Sequence, residues 1–411
     1  MQRQILVLAD DLTGANATAV ALAGAGRSAA LVHDATVLSD PRVESSEILI
    51  VPADTRREGP RAQTHTTALI ERACAGGIDT FYLKVDAALR GSVFSQIHGA
   101  LHAWRPAHPQ AIAVVCPADP AHGLTLEDGV LLADGVPADE AWAGRDSLTP
   151  ATTSQVEEIL EGCRVIDVGG NLAERIDMAG SNIVVCNAAT ENELEQIAAA
   201  CRTLGERVIP VGSLGLARAL HRTLPAPDRE PTQPDLPPAH PPLIVTTSIH
   251  AVSQAQVDEY LAGREVAQFV PDARDLFSEE GRQRTDRELE QLAAQSTGPL
   301  IIRVDPSDLA EGGLRGTLAR DFAKWLAELA LTALAARPFG SVLAVGIDGA
   351  RELTSILGIT RTQVAQGLAE GVPLTIARDG GHPGLLMATK SGGFGDRELL
   401  VRVLDLLSPA H

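Results

Sequence analysis

Residues 5–26 read ILVLADDLTGANATAVALAGAG. Five apolar residues, a strand's length, run straight into Asp10-Asp11-Leu12-Thr13-Gly14, and an Ala-rich stretch with helical spacing follows at once. An unbroken apolar run reads as a strand buried on both faces, and a helix directly behind it supplies part of the cover. The same unit recurs down the chain. Its strands are read at 29–33 (AALVH), 47–53 (EILIVPA), 80–85 (TFYLKV), 111–116 (AIAVVC), 182–186 (NIVVC) and 207–211 (RVIPV). Later ones follow at 243–248 (LIVTTS), 299–304 (PLIIRV), 341–346 (SVLAVG), 373–377 (PLTIA) and 384–389 (GLLMAT). FAKWLAELALTALAA (322–336) has helical spacing, and Thr190-Glu191-Asn192-Glu193 reads as a capping box opening another helix. Strands alternating with helices predict an α/β fold of largely parallel sheets flanked by helices.

The clearest break is PAPDREPTQPDLPPAHPP, residues 225–242, with eight prolines in eighteen positions. Proline fixes φ and removes backbone donors, so this stretch reads as an extended tether. It predicts two domains, residues 1–224 and 243–411, as suits a chain of 411 residues. A content of 45% hydrophobic and 21% charged residues fits a globular protein, and only 3% aromatic residues means cores of Ala, Val, Leu and Ile.

The formal charge of −19 opposes any general affinity for nucleic acid, so an anionic ligand needs a local cluster of cations. Cys74, Cys116, Cys163, Cys186 and Cys201 form no CxxC pair, which argues against a zinc site or disulfide framework. The N-terminus opens on a strand without the basic and apolar segments of a signal peptide, and no apolar run reaches membrane-spanning length. A cytoplasmic protein with no membrane partner is expected.

In parallel α/β sheets ligands bind beyond the carboxyl ends of the strands. The first strand delivers Asp10 and Asp11, which could hold a substrate hydroxyl or a magnesium ion, or could cap the helix behind them. The third delivers Arg56, able to clamp a carboxylate with two parallel hydrogen bonds or simply to lie in a solvated loop. The fourth delivers Lys84 and Asp86, on one strand face, and then Arg90. Pro117 to Gly123 forms a rigid turn at the same edge.

In the second half one strand ends in Thr247-Ser248-Ile249-His250 and another in Gly346-Ile347-Asp348-Gly349-Ala350. The last ends in Lys390-Ser391-Gly392-Gly393-Phe394-Gly395-Asp396. Glycine at a strand-to-helix turn admits phosphate oxygens to backbone N–H groups, so these turns suggest a nucleotide site. No GxxxxGK[ST] loop is present, since Lys390-Ser391 lacks the preceding glycine. Gly24-Ala25-Gly26-Arg27-Ser28-Ala29 matches a dinucleotide fingerprint by letters only, because it follows a helix. That removes the support for an α/β oxidoreductase.

Taken in order, these motifs resemble the four-carbon acid sugar kinase family. The stretches that carry the resemblance are ADDLTGANATAVALAGAG, ADTRRE, YLKVDAALRG, PADPAHGLTLEDGVLLADGVP, VGSLGLARAL, TTSIHAVSQAQ, VGIDGARELTSILGI and TKSGGFGDRELL, and they span nearly the whole chain. The resemblance implies an N-terminal domain for the acid sugar, a C-terminal domain for ATP with Mg²⁺, and an active site in the cleft between them. Members phosphorylate compounds such as threonate, erythronate or 3-oxo-tetronates.

By position, the resemblance assigns substrate binding to Asp10 or Asp11, Arg56, and the stretch from Lys84 to Arg90 with Asp86. For a kinase, Asp11 or Asp86 is then the expected acceptor of the hydroxyl proton, with Arg56 and Lys84 or Arg90 holding the substrate carboxylate. The resemblance assigns nucleotide binding to Ser248, Gly346, Asp348, Gly349, Gly392 and Gly393, and names no protein metal ligand. This chain differs from the family pattern at Ala87, where a Ser is usual, and at Leu124, where an Arg is usual. It differs again at Thr247, usually Gly, and at Gly346–Ala350, usually Gly-Gly-[Asp/Glu]-Thr-Ala. An altered relative that binds a sugar acid as a sensor is the competing expectation. The expected partners are a sugar acid and ATP, with homo-oligomerisation left open.

Overall fold

Strand β1 (Ile5–Ala9) lies inside the first sheet, where both of its apolar faces are buried. A computed structural model describes residues 4–24, 26–39, 46–146, 149–224, 240–305 and 317–408. The chain forms two units, Met1–Pro231 and Thr232–His411. Of the Pro-rich stretch 225–242, residues 225–239 lie outside the described set.

The first unit adds β2 (Ala29–Val32), β3 (Ile48–Pro52), β4 (Thr80–Lys84), β5 (Ile112–Cys116), β6 (Leu124–Glu127), β7 (Val130–Ala133), β8 (Val136–Pro137), β9 (Arg164–Ile166), β10 (Ile183–Cys186) and β11 (Val208–Gly212). Seven of these strands join β1 in one all-parallel sheet in the order β2-β3-β1-β4-β11-β5-β10-β9. Leu6 and Leu8 point to one face and Val7 and Ala9 to the other, and all four are buried. A core of Leu49, Val51, Leu83, Val115, Val185 and Val211 packs under Ile97 and Leu101 of the helix Val93–Trp104. Phe81 and Trp104 meet edge to face at 5.0 Å.

Register brings the strand ends into one row. Ala9 pairs with Pro52 and Lys84, Lys84 with Gly212, and Gly212 with Cys116. The backbone N–H groups of Asp10, Ala53 and Val85 each extend this ladder by one bond to the neighbouring strand. The side chains that follow are therefore fixed to a rigid edge.

The turns Asp128-Gly129 and Asp134-Gly135 join β6 to β7 and β7 to β8 in a small antiparallel sheet. Asp128 has φ 48°, Gly129 76°, Asp134 51° and Gly135 78°. Positive φ at both central residues is the geometry that matches the strand twist in a two-residue hairpin. The sequence reading lacked this sheet, and β9 as well.

The second unit holds β12 (Pro242–Thr246), β13 (Ala267–Phe269), β14 (Leu300–Arg303), β15 (Ser341–Val345), β16 (Arg361–Ala369), β17 (Val372–Ala377) and β18 (Leu386–Lys390). Their order is β13-β14-β12-β15-β18-β17-β16, parallel as far as β18 and antiparallel across β17 and β16. Ile244, Leu343, Val345 and Ile376 pack with Tyr260, Leu400 and Leu404 from the covering helices. Thr246 pairs with Val345 and Val345 with Lys390, so this sheet too ends in an aligned row.

Candidate functional sites

At the carboxyl edge of the first sheet, charged side chains from three strand ends lock together. Arg56 donates from Nε to Asp10 Oδ2 at 2.7 Å and from Nη2 to Asp10 Oδ1 at 3.0 Å. Its Nη1 lies 2.6 Å from Asp11 Oδ2, and Nη2 lies 3.8 Å from Asp86 Oδ1. Arg90 grips Asp86 in the same two-pronged way, Nε at 2.8 Å and Nη2 at 2.6 Å. Its remaining Nη1 reaches Asp146 Oδ2 at 2.9 Å, and its guanidinium lies over the Trp142 ring. Paired two-pronged contacts fix direction as well as distance, so the cluster is preorganised.

Local backbone geometry makes this possible. Asp54 has φ 54° and Leu89 φ 50°, a conformation that costs a non-glycine residue about 1–2 kcal/mol. Each bends the chain just ahead of one of the two arginines. Gly91 is required by close approach, since a Cβ there would strike the Arg56 carbonyl. Ser92 Oγ donates to that same carbonyl at 2.9 Å and accepts from Gly59 N at 2.8 Å.

The three aspartates differ. Burial pushes the Asp10 carboxyl above its ordinary value against the Arg56 charge, and Asp11 adds to the rise. Burial also works on Asp86, but the hydrogen bonds from Arg90 and the charges of Arg56, Arg90 and Lys84 outweigh it and hold Asp86 at about 2. Asp86 Oδ2 further accepts from Ala88 N at 3.1 Å. A carboxylate so fully occupied is a poor proton acceptor. Asp11 keeps more solvent, with its side chain 22% exposed, and its Oδ1 accepts from Gly14 N at 2.6 Å, so it caps the helix Leu12–Gly24. Lys84 Nζ donates to Val85 O at 2.9 Å and lies 3.0 Å from where a Gly14 Cβ would stand. It thus borders the Asp11 turn.

All six residues expected in this domain come together. Asp146 and Trp142 join them from a loop that the strand-end reading did not reach. At the neighbouring edge Asp119 is buried and paired with Arg218 at 2.5 Å and His122 at 2.9 Å, which anchors the Pro117–Gly123 turn. A cavity of about 640 Å³ lies at the opposite end of the strands, beside Ile5, Thr80 and Val208. Its lining is largely apolar and includes the last residues of the helix Leu214–Thr223, the negative end of that dipole. It is the wrong end of the sheet for an acid.

In the second unit the strand ends meet as bare backbone. A Cβ on Gly346 would lie 2.5 Å from Thr247 Oγ1 and 3.1 Å from Ser248 N, and a Cβ on Gly392 would clash with Ser248 Oγ. Gly346 takes φ 116° and precedes the helix Ile347–Ile356. Ser248, Gly346 and Gly392 are therefore neighbours, and a Cβ on Gly393 would stand 3.2 Å from the His250 ring. Gly349 lies inside the helix, where its missing side chain makes room for Thr247. Asp348 is exposed, 3.7 Å from Arg351. Sequence reading assigned no role to Lys390, which is buried at the end of β18.

Residues 5–220 match the model of a sugar-binding N-terminal domain, and residues 243–400 match that of a nucleotide-binding C-terminal domain. A D-threonate kinase of Bordetella bronchiseptica is 34% identical over 98% of this chain and 96% of that one. The chain belongs to the four-carbon acid sugar kinase family. A solved Bordetella bronchiseptica structure, a domain-swapped dimer with bound citrate, is 31% identical over 98% of each chain with a TM-score of 0.50. A Salmonella typhimurium structure shares the fold at a TM-score of 0.79 and 22% identity, covering 97% of this chain and 98% of that one. Among the described residues no helix is long and apolar enough to cross a membrane.

Proposed function

We propose that this protein is an ATP-dependent kinase that phosphorylates a hydroxyl group of a four-carbon acid sugar of the threonate, erythronate or 3-oxo-tetronate type. Family membership supports the activity. The observation that carries the site is the Arg56 fork shared by Asp10, Asp11 and Asp86 at the edge where parallel sheets bind ligands.

Asp11 is the base in this reading. It is the carboxylate of the three with most access to solvent, while Asp86 is held by Arg90 and Asp10 by Arg56. The substrate carboxylate takes over Arg56 Nη1 from Asp11, with Lys84 adding the second positive charge. Asp11, released, accepts the hydroxyl proton as the substrate oxygen attacks the γ-phosphorus. The bond from that phosphorus to the bridging oxygen breaks, and ADP departs. Kinases of this kind work chiefly by positioning and charge neutralisation. Asp86 and Arg90 are the frame that keeps Arg56 in place.

ATP belongs to the second unit, with Ser248, Gly346, Gly349, Gly392 and Gly393 around its phosphates and Asp348 at their margin. Among the described residues no group of three or more His, Cys, Asp or Glu is placed to hold a metal. Mg²⁺ therefore fits this chain as an ion carried on nucleotide phosphates and water. When bound it neutralises phosphate charge. In-line transfer requires the two sets of residues to meet during turnover, and the ATP requirement suits the cytoplasm.

The test is ADP release by the purified protein over a panel of four- to six-carbon sugar acids. Turnover that depends on one of the four-carbon acids is expected. Release that no sugar acid stimulates would overturn the assignment.

A further inference from the structure

Lys390 is 1% exposed, yet its ammonium makes no ion pair among the described residues. Its Nζ donates to the carbonyl oxygens of Ser391 at 2.8 Å and Gly392 at 3.3 Å, with Ser253 Oγ at 3.5 Å. Ser253 Oγ in turn donates to Gly392 O at 2.5 Å. In a trans peptide the C=O and the following N–H point in opposite directions. Drawing the Ser391 and Gly392 carbonyls inward therefore turns the N–H groups of Gly392 and Gly393 away from the lysine. Those are the two amides on which a phosphate group would be received.

The acids on the elements around Lys390 are committed elsewhere. Asp258 lies 3.5 Å from Arg303, Glu259 2.8 Å from Arg397, Asp348 3.7 Å from Arg351 and Asp396 2.9 Å from Arg402. His250 borders Gly393, and Glu352 lies on the helix Ile347–Ile356. β15 and β17, which flank the lysine's own strand β18 on either side, carry no charged residue.

We propose that Lys390 is a positioning residue of the nucleotide site, which aims the Gly392 and Gly393 amides outward and supplies a buried positive charge that is matched only when phosphate arrives. The inference rests on the nucleotide assignment of the second unit and deepens it. Burial alone lowers the Lys390 ammonium to about 8. A phosphate nearby restores the charged form, so nucleotide binding draws in a proton. Affinity is then full below that value and falls as pH rises through it. A countercharge that is unmet without ligand also penalises the empty fold at neutral pH, so its removal should spare stability while costing affinity.

The experiment is calorimetric titration of ADP into the full-length protein at pH 7 and pH 9, each in two buffers of different ionisation enthalpy. Wild type should bind about tenfold more weakly at pH 9 and take up a proton on binding at pH 9 but hardly any at pH 7. Lys390→Met should bind more weakly than wild type at pH 7 and lose that pH dependence, with a melting temperature at pH 7 no lower than wild type. The nucleotide's own titration is common to both proteins and cancels in the comparison. If ADP binds wild type with equal affinity at both pH values and no proton uptake, the inference is wrong and the nucleotide assignment stands. If Lys390→Met fails to fold, that alone counts for a merely structural lysine, and wild-type proton uptake still decides the charge. If ADP binds at neither pH, the nucleotide assignment falls and takes this inference with it.

Discussion

The two candidate sites stand at matching places in their sheets and are built in opposite ways. At the edge of the first unit Arg56 and Arg90 are each held by two-pronged contacts to an aspartate, so the site consists of charged side chains that fix one another. At the edge of the second unit the strand ends approach so closely that a side chain at Gly346, Gly349 or Gly392 would collide with Thr247 or Ser248. One site is made by side chains and the other by their absence. A small acid with several hydroxyls needs fixed directional partners, whereas phosphate oxygens can be received by backbone N–H groups and one buried charge. The same fold serves both because its strand ends are rigid.

Substitutions separate the two designs. The largest effect is expected for Asp11→Asn, which keeps the helix cap, since Asn caps as well as Asp, but lacks the basic oxygen. Its kcat should fall by about 10²–10⁴ while the melting temperature barely moves. A stability loss with intact kcat would make Asp11 only a cap. Next comes Asp86→Asn, which removes the two-pronged partner of the Arg90 guanidinium, its side chain 9% exposed, and leaves it the single contact to Asp146. Breaking a buried pair costs about 3–5 kcal/mol, to be read from denaturant unfolding of the first unit.

The pH dependence of that pair has a definite sign. The Asp86 carboxyl lies at about 2 in the folded protein against 3.8 ordinarily. Its contribution is therefore present above about pH 4 and lost as pH falls toward 2, and Asp86→Asn should lack that part of the acid transition. The smallest effect is expected in the second unit. Gly349→Ala overpacks Thr247 and should cost about 1–3 kcal/mol, with Thr247→Ala in the same chain restoring part of it. An additive double variant would show that the two residues do not share that space.

Much of this was legible because burial on both faces leaves long apolar runs, as in β1, β3, β5 and β10. What escaped was short or half exposed. β9 and β13 have three residues each, and β16 is polar, with Gly367 and two register shifts. The β6–β7–β8 sheet carried a usable signal in its two Asp-Gly turns, each followed directly by a valine. Asp10, Asp11, Arg56, Lys84, Asp86 and Arg90 could be read because a strand delivers each to one edge. Asp146 could not, since it lies 56 residues beyond Arg90 in sequence. Lys390 was passed over because a failed phosphate-loop motif says nothing about a lysine buried against its own turn.

The division of labour between the two edges can be measured directly by amide hydrogen exchange on the full-length protein. D-threonate alone should slow exchange at residues 10–14, 54–57 and 86–92 and leave the second unit unchanged. ADP alone should slow exchange at residues 246–250, 346–350 and 391–394 and leave the first unit unchanged. Protection by ADP at the Arg56 cluster, or by threonate at the glycine turns, would contradict the account.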